Sequence, residues 1–226
     1  MFSDTLIKLF SNGMMADAIW ATIYMTALST LISYLFGLPL GIILYLTRQK
    51  GLTPCKPLNI VLGFIINLLR SIPFIILTFS IFPLTKLIVG TTMGNGAMIV
   101  TLIIGAAPYI ARMVESSLLE INNGVIEAAE SMGASTFQIV LKVLLPEAKP
   151  ALITGAIISA ITVLGYSAMA STIGGDGLGT IAFTYGYQVS EVDVTWICVA
   201  FIVIIVQLIQ VFGNLLVKKI DKRIKK

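Results

Sequence analysis

The sequence contains no histidine and only two cysteines among its 226 residues. The first absence removes histidine metal sites, Ser-His and Cys-His nucleophile pairs and imidazole proton relays. Cys55 stands in a basic loop and Cys198 in an apolar run, so neither a disulfide nor a zinc motif is expected. Charge is scarce as well: 12% of residues are Asp, Glu, Lys or Arg, about half the share in a soluble domain. Together with 57% hydrophobic residues and a mean hydropathy of +0.98, this excludes a disordered chain and a soluble basic domain. It argues equally against an ordinary cytosolic enzyme. What remains is a polypeptide lying mostly in lipid. No P-loop pattern occurs, so any energy from ATP must come through a partner.

What is present is a series of uncharged stretches, at 18–47, 57–69, 71–85, 87–111, 150–175 and 194–217. The first holds 30 residues without a signal-peptide frame and reads as a retained helix, loosened in its second half by Gly37, Pro39 and Gly41. The stretches at 57–69 and 71–85 hold 13 and 15 residues. Each is too short for a hydrocarbon core of about 30 Å at 1.5 Å per residue. Joined through Arg70 they make one span with a charge inside it; a re-entrant hairpin is the alternative. The expected spans are therefore about 18–46, 57–85, 97–115, 150–172 and 194–217. They form a single transmembrane domain over 1–226, all-α, with one long loop at 116–149. No internal repeat is visible, which counts against an inverted-repeat secondary transporter.

The distribution of Lys and Arg orients this arrangement. With the C-terminus inside, the cytoplasmic segments 48–56, 112–149 and 218–226 carry three, three and six basic residues, against Lys8 and Lys86 outside. Positive charge on that scale marks the cytoplasmic side, so the N-terminus is expected to be periplasmic. The net charge of +4 then reflects topology and contact with membrane lipid, not nucleic acid.

The loop between spans three and four carries the most information. Asn122-Asn-Gly124 reads as a breaker, Val125 to Met132 as a short helix, and Gly133 as its left-handed stop. Ser135-Thr-Phe-Gln138 is a capping-box pattern opening a second helix that stops at Pro146. The apolar residues of this loop need cover, either from the protein's own spans or from a partner.

Glu127-Ala-Ala129, three residues, Gly133, nine residues, Val143, one residue and Leu145-Pro146 resemble the cytoplasmic signature of ABC importer permeases, with Val where Ile is usual. Arg70-Ser-Ile-Pro-Phe-Ile-Ile-Leu77, Gly105 through Glu115, and Gly165-Tyr-Ser-Ala-Met169 with the glycine-rich 174–179 are similar to the methionine branch of that family. The resemblance implies a type I importer permease fold with a cytoplasmic coupling helix seated in a groove of a separate ATPase. Glu127, Ala128, Ala129, Ser131, Met132 and Gly133 would couple to that ATPase, supported by Ser135, Val143, Leu145 and Pro146. It further implies a homodimer of this chain, two ATPase subunits that bind ATP-Mg, a substrate-binding lipoprotein or periplasmic protein, and a place in the bacterial inner membrane. No cofactor is expected on this chain, and it is expected to be no enzyme itself. Methionine, as the L- or D-form, is the implied substrate; another amino acid or small polar solute is the alternative.

Arg70 is the one charge deep in an expected span. Placing it there costs about 2.5–3.5 kcal/mol, so it is either a residue of the transport path or structural, pairing with carbonyls at a subunit contact or snorkelling beside the Pro73 disruption. Ser71, Tyr166, Ser167 and Met169 are further path candidates, although Met also fills gaps in bundle cores. Arg112 and Glu115, three apart on a helix, are spaced to pair. Gly175-Asp-Gly177-Leu-Gly179 lacks the context of a dinucleotide loop and reads as a turn leaving the fourth span. An ion-coupled transporter would need intramembrane acids, and an intramembrane hydrolase would need a base beside Ser71 or Ser167; the sequence offers neither.

The charge count yields a test. A membrane-impermeant thiol reagent should label Asp176→Cys from the periplasm and leave Cys55 unlabelled; the reverse pattern would contradict the assigned orientation.

Overall fold

The computed structural model describes residues 4–220, which are helical with no strand among them. The helices are α1 (Asp4–Ser11), α2 (Met14–Thr47), α3 (Lys56–Ser71), α4 (Phe74–Ser80), α5 (Phe82–Val89) and α6 (Gly94–Leu119). They are followed by α7 (Asn123–Ser131), α8 (Thr136–Ile139), α9 (Leu145–Ser167), α10 (Leu178–Ile181) and α11 (Val192–Ile220). Wide π turns occupy Val140–Leu144 and Ala182–Gln188, and a tighter 3-10 turn occupies Ala168–Ile173.

Four continuous runs are long and apolar enough to cross a membrane: Met14–Thr47, Gly94–Leu119, Thr136–Ile173 and Val192–Ile220. The expected span at 57–85 differs from a straight helix. α3 and α4 meet at a bend of 107°. Pro73 is the cause: it has no N–H to donate to α3, and its ring pushes Ile72 out of the helical region. Pro73 itself is extended, with ψ 136°, and caps α4.

Helix packing decides between a bent span and a re-entrant loop. Gly37 lies against Ala107 and Ile110, and Gly41 lies four residues further along against Ala111 and Val114. Both sets of numbers rise together, so α2 and α6 run parallel. The chain between parallel neighbours must return across the membrane. The α3–α4 pair therefore acts as a span despite its bend, which makes five.

The described chain groups into two compact units. Unit 1 holds the chain up to Ser33, then Ile72–Gly105 and Ala160–Val211; unit 2 holds Tyr34–Ser71, Ala106–Ser159 and the chain from Phe212. Each of the five spans passes from one unit to the other. The basic segments 48–56 and 112–149 and the end of α11 belong to unit 2, whereas Lys8 and Lys86 belong to unit 1. Lys218 and Lys219 are exposed; the rest of the basic C-terminal run, 221–226, lies outside the described residues.

Unit 1 closes around Leu6, Leu9, Met15, Ala18, Leu178, Ile181, Val194 and Cys198. Its glycine-rich turn is fastened from two sides. The Asp176 N–H donates to Asn95 Oδ1 at 2.5 Å, and the Leu178 N–H to Thr22 Oγ1 at 2.9 Å. Unit 2 centres on Leu44, Ile66 and Ala111. The Asn59 amide donates to the Leu44 carbonyl at 2.8 Å and to Thr47 Oγ1 at 3.0 Å, tying the start of α3 to the end of α2.

The expected helix stop at Pro146 is not found. The helical run continues from Thr136 to Ile173. At Val140–Leu144 the helix widens, and the Leu145 N–H donates five residues back to the Val140 carbonyl. A proline in a regular α-helix clashes with the carbonyl four residues earlier; the wide turn gives that carbonyl room. The fourth span is thus the end of a rod that begins inside the loop, not a helix starting near Pro150.

A Cβ on Gly41 would stand 2.5 Å from the Ala111 carbonyl oxygen, a backbone atom that cannot rotate away. Gly41→Val should force α2 and α6 apart and destabilise the detergent-solubilised protein by about 1–3 kcal/mol, the usual cost of overpacking. Melting and membrane yield measure this; wild-type values for both would show that the helices are not in such contact.

Candidate functional site

The loop after α6 is built from its caps. The Asn122 side chain accepts the Gly124 N–H at 2.8 Å and starts α7. The residues read as a breaker are therefore a cap and the first helical turn, and Glu127 sits mid-helix. Gly133 ends the helix with φ 78°. Its N–H donates to the Glu130 carbonyl at 2.9 Å and the Ala134 N–H to the Ala129 carbonyl at 3.1 Å, the paired bonds of a Schellman stop. Ser135 follows with both arms of a capping box: its hydroxyl accepts the Gln138 N–H at 3.4 Å, and its own N–H donates to Gln138 Oε1 at 2.9 Å.

These caps fix which face of α7 is free. Ile126 and Ala129 are buried, Ala129 to 3% exposure. Glu127, Ala128, Ser131 and Gly133 are exposed, and Met132 is 81% exposed. The Ser131 hydroxyl is occupied by the Glu127 carbonyl at 2.8 Å. Phe137, on α8, is 72% exposed, and Val125 is exposed too. Sequence reasoning missed Val125 and Phe137, because a face can be read only once the cap fixes the helix phase. Val143 and Leu145 are half-buried and Pro146 is exposed.

A cavity of about 420 Å³ adjoins α7, lined by Tyr45, Arg48 and Lys50 and by Ile126, Glu127 and Glu130 among others. Arg48 lies over the Tyr45 ring at 4.4 Å from its centroid. In the second half of α6, Arg112 reaches Glu115 at 2.7 Å and also donates to the Gly63 carbonyl of α3 at 3.1 Å. The pair anticipated from spacing is present, and it serves to tie α6 to α3.

The expected path residues divide. Arg70 and Ser71 end α3 in unit 2; both are exposed, and Arg70 has no hydrogen-bond or ion-pair partner among the described residues. Ser71 returns its hydroxyl to the Asn67 carbonyl at 2.8 Å. Tyr166, Ser167 and Met169 belong to unit 1. Met169 is exposed and Tyr166 half-buried, whereas Ser167 is 3% exposed and donates to the Leu164 carbonyl at 2.7 Å. Ser167 therefore faces its own chain and presents nothing to a solute. Phe74 stacks on Tyr166, a contact absent from the sequence-based set. No group of three or more metal-ligating side chains occurs among the described residues.

Comparison with known proteins adds to this geometry. The pattern of the family described as binding-protein-dependent transport system inner membrane component matches residues 37–226. The chain is 44% identical to the probable D-methionine transport system permease protein of Vibrio cholerae, covering 99% of this chain and 100% of that one. It is 47% identical to the methionine import system permease protein of Bacillus subtilis over 80% of this chain and 82% of that one. Among solved structures, a chain of the MetNI methionine ABC transporter in an inward-facing conformation is similar at a TM-score of 0.92 and 43% identity. It covers 98% of this chain and 100% of that chain.

Proposed function

The chain belongs to the family of binding-protein-dependent transport system inner membrane components, and on that premise we propose that it is the membrane-spanning permease of an ATP-driven methionine importer. The likeness over full length to relatives named for methionine carries the substrate. The exposed face of α7 carries the mechanism. A permease of this kind performs no chemistry; a separate ATPase hydrolyses ATP, and this chain converts that cycle into movement of a path.

In this reading unit 2 faces the cytoplasm, as its basic segments support. Two copies associate around a two-fold axis, an isologous arrangement in which each copy supplies the same surface. The unpartnered Arg70 at a bent span supports a second copy or a water-lined path beside it, because non-helical backbone at membrane depth is tolerated only against protein or water. Two ATPase subunits receive α7 through Val125, Ala128 and Met132, with Glu127 offering charge to a cationic partner. A periplasmic or lipid-tethered binding protein delivers methionine to the other side. ATP-driven closure of the ATPase pair moves both α7 helices, and the spans rock around a central path by alternating access.

Gly133 is the point at which this coupling can be cut without touching the spans. An added side chain there meets no neighbour within 4 Å, yet its φ of 78° is left-handed. That conformation costs a residue with a Cβ about 1–2 kcal/mol, and a β-branched chain is stiffer still. Gly133→Val should re-aim α7 while leaving the inserted amount near normal. Methionine uptake should fall at least tenfold, equivalent to about 1.4 kcal/mol of lost coupling. ATP hydrolysis should cease to respond to the loaded binding protein. Normal uptake by this variant, with its ATPase bound, would contradict the coupling role of the loop.

A further inference from the structure

Phe74 lies flat on Tyr166, with ring centroids 4.5 Å apart and planes 2° from parallel. The stack is held from behind by an absence. A Cβ on Gly105 would stand 3.3 Å from two carbons of the Phe74 ring, tighter than a Cβ normally tolerates. Glycine on α6 thus lets its backbone close on the ring. Leu77, three residues along α4, is 3% exposed, and the Thr78 hydroxyl bonds the Phe74 carbonyl at 2.9 Å. Phe74 is therefore fixed by its own helix, by α6 and by Tyr166, all within unit 1.

Both rings stand where a span is irregular. Phe74 opens α4 directly after the 107° bend. Tyr166 is next to the last residue of α9, where the chain tightens into the 3-10 turn. A helix broken inside a membrane, as before Phe74, is a place where transport sites form; at Tyr166 the run stays continuous and only tightens. Tyr166 is half-buried, and its phenol makes no hydrogen bond among the described residues. The hydroxyl oxygen is not among the buried unpaired atoms of the described residues, so it is open to water or a solute. Phe74 covers one ring face, and the rest of the ring offers the polarisable surface that a thioether sulphur favours.

We propose that Phe74, seated on Gly105, is the positioning residue that holds Tyr166 as an aromatic wall for the substrate's unbranched thioether side chain. This rests on the reading of the chain as a methionine permease. Phe74 acts through Tyr166; without it the tyrosine ring is free to turn, and discrimination by the wall is lost.

The test uses the whole complex, with its ATPase and binding protein, in proteoliposomes. Labelled methionine and norleucine, which carries a methylene in place of sulphur, compete for uptake. The binding protein is common to all measurements, so a change in the uptake ratio belongs to the permease. Phe74→Leu should lower the methionine-to-norleucine ratio at least threefold, with complex yield and ATP hydrolysis within twofold of wild type. Phe74→Tyr, which keeps the ring, should retain the ratio, and Gly105→Ala should fall between. An unchanged ratio in Phe74→Leu would overturn the proposal. So would an equal loss of both solutes together with a lost complex, which is what a merely structural role gives. A wild-type complex that carries no methionine would overturn the reading beneath the proposal, and the proposal with it.

Discussion

Gly37 and Gly41 leave so little between α2 and α6 that an added carbon would meet a carbonyl oxygen of the facing helix at 2.9 or 2.5 Å. In lipid no hydrophobic force drives helices together, and close backbone approach through small residues is the main source of their association. The contact also fixes direction. Because α2 and α6 run parallel, the chain between them has to return across the membrane. α3 alone, 16 residues or about 24 Å at 1.5 Å per residue, is too short to do so. α4 must complete the crossing even though Pro73 turns it by 107°. The irregular span, with the unpartnered Arg70 at its edge, is thus a consequence of the tight pair beside it.

The loop helix α7 is set off from α8 by a left-handed Gly133 and a capping box on Ser135. From Thr136 onward the helical run is unbroken to Ile173. The π turn at Val140–Leu144 is what keeps it unbroken, by making room for Pro146. The element that follows Gly133 is therefore one continuous run, and Tyr166 lies within its last turns. Wide turns of this kind concentrate at working parts of helices because the extra residue gives the backbone an alternative register.

The spans were legible because lipid imposes a simple rule on composition: long uncharged runs, with basic residues gathered at one set of ends. The caps were legible for a similar reason, since Gly133, Ser135 and Gln138 are chosen by local backbone chemistry. Tertiary geometry was not. Pro73 and Pro146 look alike as helix breakers, yet one turns the chain sharply and the other is absorbed by a π turn. Ala129 and Ala128 are adjacent in a signature, but the phase set by Asn122 turns the first inward and leaves the second exposed. Ser167 drew notice for its hydroxyl and proves to be satisfied by Leu164. Phe74 and Gly105 lay inside segments singled out for their likeness to permeases, without any polar group to mark them. Their role depends on a stack that only the folded chain brings together.

The central claim is that α7 presents one face to its own spans and the other to an ATPase. A photoreactive amino acid placed singly at positions 132 and 129, in the complex assembled in membranes, tests this most directly. The account predicts that the probe at 132, where the native side chain is 81% exposed, captures the ATPase, and that the probe at 129, where it is 3% exposed, captures only the permease itself. Capture of the ATPase from 129, or none from 132, would contradict it.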